Sequence, residues 1–213
     1  MIIAVDGTAA SGKGTLAQRL AVRFDLAHLD TGSLYRALGL DLLKAGETSE
    51  TIDENRAANA ITGLDLALAD AAEIRTDRVA GMASVIAAMP LVRAGLVALQ
   101  RDFAASPPGG KGAVLDGRDI GSVILPDADF KFFVDADPET RAHRRTRELQ
   151  AAGQSAMFRD VLKDMRERDR RDRERQSAPL KAAEDALIID SSDLDADGVF
   201  ARAIDHITSM REQ

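Results

Sequence analysis

The sequence predicts an α/β protein, a central parallel sheet flanked by helices in three layers. Short apolar runs of strand length recur along the chain, separated by longer stretches with apolar residues at helical spacing. A glycine-rich segment containing a lysine follows the first apolar run and leads into the first helical stretch. With 213 residues the chain is long enough for one compact domain with a sizeable core and room for insertions.

The first strand is expected at "IIAV", 2 to 5, whose unbroken apolar character suits a strand buried on both faces. "TLAQRLAVRF" then has helical period. Further strands are expected at "LAHL", 26 to 29, "AVLD", 113 to 116, "FKFFVD", 130 to 135, and "ALIID", 186 to 190. From about 47 to 106 the rhythm breaks: the segment is rich in Ala, Leu and Asp at helical spacing and reads as an insertion. It closes at "SPPGG", 106 to 110, where Pro and Gly end a helix.

Charge and composition exclude several classes. The 28 basic and 35 acidic side chains leave a net charge of −7, which favours solubility and argues against broad affinity for nucleic acid or anionic membranes. Without cysteine there are no disulfides or thiolate metal sites, and a reducing compartment is permitted. No apolar run approaches the roughly 20 residues of a spanning helix. "MIIAVDG" lacks the basic region and long apolar core of a signal peptide. The expectation is a cytoplasmic enzyme that binds neither membrane nor nucleic acid, with a monomer as the default state.

The strongest motif is "GTAASGKGT". Gly7, Gly12 and Lys13 match G-x-x-x-x-G-K, directly after a strand and directly before a helix. That setting lets backbone N–H groups of the loop and of the helix N-terminus surround an anion together. A glycine-rich turn that happens to contain lysine is the simpler alternative, and the flanking elements disfavour it. The loop residues Gly7, Thr8, Ala9, Ala10, Ser11, Gly12, Lys13, Gly14 and Thr15 are therefore assigned to a nucleoside triphosphate, ATP, with Lys13 reaching its terminal phosphates. These features predict the P-loop NTPase fold. Gly14 stands where many such loops carry a metal-binding hydroxyl. Mg²⁺ is expected to accompany ATP, held by phosphate oxygens and water with Asp116 in an outer role, and no side chain is expected to ligate it directly. "GKGT" is similar to the pattern of nucleoside monophosphate kinases.

Other segments carry charge suited to an acceptor. In "LDTGSLYRAL", 29 to 38, Asp30 or Thr31 can cap a helix, and Arg36 on its early turns offers a planar cationic fork. "LDGRDIG", 115 to 121, leaves the third strand at its carboxyl end, where parallel sheets bind ligands; a salt-bridged turn is the alternative. In "RERDRRDRERQ", 166 to 176, Arg168, Asp172 and Arg175 fall on one helical face, as they also would in an ordinary solvated helix. Arg141, Arg144 and Arg145 share a face in "ETRAHRRTRELQ", 139 to 150; a surface helix or a small nucleic-acid patch is the alternative there. His143, among them, is given no role.

In their order and spacing, "GTAASGKGT", "LDTGSLYR", "LDGRDIG", "TRAHRRTRELQ" and "RERDRRDRERQSAPL" resemble the bacterial cytidylate kinases over nearly the whole chain. The resemblance implies transfer of the γ-phosphoryl group of ATP to CMP or dCMP. It implies one P-loop kinase domain over 1–213, with a nucleotide-monophosphate-binding insertion at about 31–110 and a lid at about 139–155. Arg36 and Arg118 would hold the acceptor's phosphate; Thr31, Arg93, Asp119 and Arg175 would read cytosine; Ser84, Arg168 and Asp172 would lie by the sugar. Lys13, Arg118, Arg141 and Arg145 would stabilise the transferring group, with Arg144 on ATP. One departure is "GLDLALADAAEIRTDRVAG", 63 to 81, which is shorter than a full β-hairpin cover requires. A kinase for another small acceptor, and a nucleotide-dependent switch that binds RNA, are the competing readings. The second lacks an N-K-x-D guanine motif and carries the wrong net charge.

Overall fold

The protein is described here by a computed structural model covering residues 1–65, 68–69, 72–175 and 178–212. It forms two compact units, Met1–His28 with Pro107–Gln213, and Leu29–Ser106.

The first unit is built on strands β1 (Ile2–Gly7), β3 (Ala113–Gly117), β4 (Phe130–Asp135) and β5 (Leu187–Asp190). β1 pairs in parallel with β3 on one side and with β4 on the other, and β4 pairs in parallel with β5. The edge strand β2 (Ala27–Asp30) completes the order β2-β3-β1-β4-β5. This is the parallel sheet that the apolar rhythm predicts. Alternate positions Ile3 and Val5, Val114, Phe132 and Val134, and Ile189 pack in one buried cluster with Leu16, Leu20, Val199 and Ile207. Those partners come from helices α1 (Lys13–Phe24) and α8 (Ala196–Arg211). On the opposite face Ala4 and Leu115 are also fully buried, so both faces are covered, as unbroken apolar strands require.

Helices α6 (Pro138–Ala151) and α7 (Phe158–Glu174) pack through Ala142, Leu149, Val161 and Met165, with Ala9 and Ala10 against the same cluster. α6 starts on Asp137, which accepts from the N–H groups of Glu139 and Thr140 at 3.0 and 2.8 Å, with Pro138 pre-set for the first turn.

The second unit contains α2 (Thr31–Lys44), α3 (Glu54–Ala60), α4 (Asp77–Ile86) and α5 (Pro90–Ala105). Asp30 rather than Thr31 caps α2, accepting from Ser33 N–H at 3.2 Å. Leu34, Leu38, Met82, Ile86, Val92 and Leu96 form its core. Gly39 lets α2 approach α4 closely, since a Cβ there would lie 3.3 Å from Ala83 N. From 47 to 106 the described residues hold helices and no strand, which fits the helical spacing of the sequence. Residues 66–67 and 70–71, within the segment 63–81 expected to be a shortened cover, lie outside the described residues. Among the described residues no single helix is long and apolar enough to cross a membrane.

Candidate active site

The phosphate loop begins where β1 ends. Gly7 has φ 151° and lies so close to β4 that a Cβ would sit 2.0 Å from the Val134 carbonyl oxygen, so no other residue fits. Ala10 and Gly12 take left-handed backbone, at φ 57° and 92°. α1 starts on Gly12, which has no side chain with which to cap it, and a helix N-terminus of this kind is a setting suited to an anion.

The loop's carbonyl groups are tied into the protein. Arg118 Nη1 donates to Gly7 O at 2.6 Å, Ser11 Oγ to Thr8 O at 3.0 Å, Arg141 Nη1 to Ala9 O at 3.3 Å, and Ser191 Oγ to Ser11 O at 2.9 Å. Thr8 Oγ1 donates to Asp135 Oδ1 at 2.6 Å. With these carbonyl dipoles engaged by protein donors, the loop keeps them from repelling a phosphate.

Lys13 Nζ lies 3.5 Å from Asp116 Oδ2, and His28 Nε2 is 3.1 Å from Asp116 Oδ1. Burial pushes the Asp116 carboxyl up, but Lys13 and His28 outweigh it and hold the group below its ordinary range. A Cβ at Gly14 would lie 3.6 Å from Asp116 Oδ2. The carboxylate thus stands beside the position where other phosphate loops carry their hydroxyl, which fits an outer role toward a metal on the phosphates. Among the described residues, no group of three or more His, Asp or Glu side chains is arranged to hold a metal ion by itself.

Beyond β3, Arg118 Nε donates to Asp172 Oδ2 at 2.9 Å, and Arg175 Nη2 is 3.5 Å from Asp119 Oδ1. Asp172 is pushed up by burial and pulled down more strongly by Arg118 and Arg168, then Arg175, so that it stays ionised. α7 ends at Glu174, and Arg175 follows in extended backbone at ψ 138°. Arg175 therefore stands just past the helical face shared by Arg168 and Asp172. Past the helix end, Leu180 N–H donates to the Asp172 carbonyl at 2.8 Å and Arg175 Nε to Ala178 O at 2.6 Å. Gln176 and Ser177 lie outside the described residues.

The arginines of α6 have three different settings. Arg141 is 1% exposed and donates to Ala136 O at 2.8 Å and to Asp169 Oδ2 at 2.6 Å. Arg144 donates to Ser191 Oγ and O at 3.1 and 2.6 Å, and Arg145 approaches Glu148 Oε2 at 3.4 Å. His143 stacks on Phe158 with ring centroids 4.1 Å apart, a packing role.

In the second unit Thr31 and Arg93 are buried, on α2 and α5, and Arg36 is half-buried on α2. Ser84 on α4 has a buried Oγ with no hydrogen-bond partner among the described residues, a polar atom that a ligand hydroxyl could satisfy.

Sequence reasoning passed over Asp6, His28, Asp135, Asp169 and Ser191. Asp6 is 3% exposed and accepts from Ile120 and Gly121 N–H, both at 2.8 Å. Its signal was a lone carboxylate inside an apolar strand. Burial pushes its pKa up to about 7, with Asp119 adding to that; the two backbone bonds and Arg118 pull the other way. Between its ordinary 3.8 and about 7 the folded chain holds a proton that the unfolded chain has released. The stability this gives is full below the lower value and is lost as pH rises through the upper one. Melting wild type and Asp6→Asn from pH 5 to 8 should therefore show the wild-type Tm falling relative to the variant as pH rises. A constant difference would contradict the assignment.

Comparison with known proteins gives a consistent result. Residues 3–209 match the family described as cytidylate kinase. A cytidylate kinase of Paramagnetospirillum magneticum is 53% identical over 211 residues, covering 99% of each chain. One from Rhodopseudomonas palustris is 51% identical over 211 residues, covering 99% of this chain and 98% of its own. Among solved structures, an uncharacterized protein from Eubacterium ventriosum superimposes with a TM-score of 0.55 at 17% identity, over 98% of this chain and 99% of its own. That last likeness is one of fold.

Proposed function

The chain belongs to the cytidylate kinase family, and from that premise we propose that it moves the γ-phosphoryl group of ATP onto CMP or dCMP, releasing ADP and CDP or dCDP. The observation that carries this reading is the pairing of Arg118 with Asp172 and of Asp119 with Arg175 at the carboxyl end of β3, with Arg118 bonded to the phosphate loop itself.

In this reading the loop from Gly7 to Thr15 holds the triphosphate, with Arg144 also assigned to ATP. Lys13, Arg118, Arg141 and Arg145 face or brace the transferring group. Arg36 and Arg118 take the acceptor's phosphate; Thr31, Arg93, Asp119 and Arg175 take the base; Ser84, Arg168 and Asp172 take the sugar. Unit Leu29–Ser106 serves as the core of the acceptor-binding insertion, proposed over about 31–110, and 139–155 as the lid of a single kinase domain. Mg²⁺ bound with ATP supplies charge neutralisation on the phosphate oxygens, with Asp116 as an outer carboxylate.

The acceptor oxygen is already ionised, so no base is required, and the chain's part is positioning and fixed positive charge without a covalent intermediate. A closed lid keeps water from intercepting the phosphoryl group. The protein is taken as a cytoplasmic monomer acting on small nucleotides, in keeping with its net charge of −7.

Cytosine presents an amino donor where uracil presents a carbonyl. An unpaired polar contact in a buried site costs ~1 to 3 kcal/mol, so discrimination of roughly 10- to 100-fold is expected from Asp119 and its partners. Asp119→Asn should reduce the ratio of kcat/KM for CMP over UMP by about tenfold; an unchanged ratio would remove Asp119 from base reading. The reading as a whole is tested by ADP release with ATP, Mg²⁺ and each of CMP, dCMP, UMP and AMP. Preference for CMP and dCMP supports it, preference for AMP or UMP overturns the base assignment, and no release with any acceptor overturns the kinase.

A further inference from the structure

Asp6 is a carboxylate buried between apolar neighbours of β1, a placement that packing alone does not favour. Its two oxygens divide two donors between them: Oδ1 accepts from Ile120 N–H and Oδ2 from Gly121 N–H. These are the first two residues of a π-helical turn, Ile120–Ile124, and they follow Arg118 and Asp119 directly. Asp119 occupies the cap position of that turn, yet its side chain makes no capping bond. Asp6 caps the turn instead, from more than 100 positions away in sequence, and the Asp119 carboxylate is directed to Arg175.

We propose that Asp6 is a positioning residue for the acceptor site, capping the turn after Asp119 from β1 so that Arg118 and Asp119 stand on a fixed backbone and the Asp119 carboxylate is spared from capping for a ligand. This rests on the acceptor reading of Arg118 and Asp119. Among the described residues, the charges acting on Asp6 are those of Arg118 and Asp119 themselves; on β4, the stem of Lys131 packs against Gly121, where an added Cβ would meet it at 3.2 Å. The Lys131 ammonium is engaged by the Pro126 carbonyl and by Asp185. Asp116 pairs with Val5 and lies on the other face of the sheet.

The isosteric Asp6→Asn keeps one acceptor and turns an amide donor toward one of the two N–H groups. The variant is expected to raise KM for CMP about tenfold or more and leave KM for ATP within about twofold, with faster amide exchange at Ile120 and Gly121. An unchanged KM for CMP, or equal rises for both substrates, overturns the proposal. Should the variant fail to fold, a wild-type NMR titration decides. The Ile120 and Gly121 amides and the Asp119 carboxyl should shift with the Asp6 carboxyl near pH 7; signals that stay fixed overturn it. If wild type makes no CDP, the acceptor reading fails by itself, and the same titration still decides whether Asp6 controls this turn.

Discussion

Arg118→Ala is expected to lower kcat/KM for CMP by about a thousandfold while the dissociation constant for ATP changes by less than about threefold. Arg118 links the two halves of the proposed chemistry. Its Nη1 holds the Gly7 carbonyl and its Nε holds Asp172, so the guanidinium is oriented before any substrate arrives, and its charge needs no reorganisation during transfer. The Gly7 contact is one of several that fix the loop, alongside those of Ser11, Arg141 and Ser191, which is why ATP binding should survive. Asp172 retains the fields of Arg168 and Arg175 in the variant, so the fold should survive too. Calorimetric ATP titration beside steady-state kinetics separates the outcomes; equal damage to ATP binding and turnover would contradict an acceptor-side role.

Arg141→Ala should destabilise the protein by about 3 to 5 kcal/mol, a fall in Tm of roughly 10 °C for a chain of this size. The sequence places Arg141 among the lid arginines. In the structure its guanidinium is buried and binds the Ala136 and Ala9 carbonyls and the Asp169 carboxylate. Asp169 is itself buried, and its Oδ1 has no hydrogen-bond partner among the described residues. Removing Arg141 therefore strands a buried negative charge and releases a loop carbonyl. The double variant Arg141→Met with Asp169→Leu, which removes both charges, should regain most of the lost stability. A Tm unchanged in Arg141→Ala together with a large loss of kcat would mean that the side chain acts on substrate alone.

The sheet was legible because strands buried on both faces need apolar runs at their centres, and "IIAV", "AVL" and "FFV" supply them. Their ends were less so. β1 and β3 run on through Gly7 and Gly117, whose backbones still pair although their side chains give no apolar signal. Leu26 reads as a strand residue but lies in the capping turn after α1, where Asp25 turns left-handed and Leu26 N–H bonds Ala21 O at 2.9 Å. The phosphate loop was legible because its glycines and lysine are local in sequence. Asp6, Asp169 and His28 were not, because each acquires its meaning from a partner at least 28 positions away. The alternating charges of α7 concealed which carboxylate meets which arginine. Spacing placed Arg175 on the helix, whereas α7 ends at Glu174 and Arg175 takes extended backbone.

The central claim is tested most directly by following the phosphorus itself. With ATP labelled at the γ-position, CMP and Mg²⁺, a single turnover should deliver the label to the β-phosphate of CDP in one-to-one yield with ADP. Label recovered as inorganic phosphate, or bound to the protein, would contradict direct transfer between the two nucleotides.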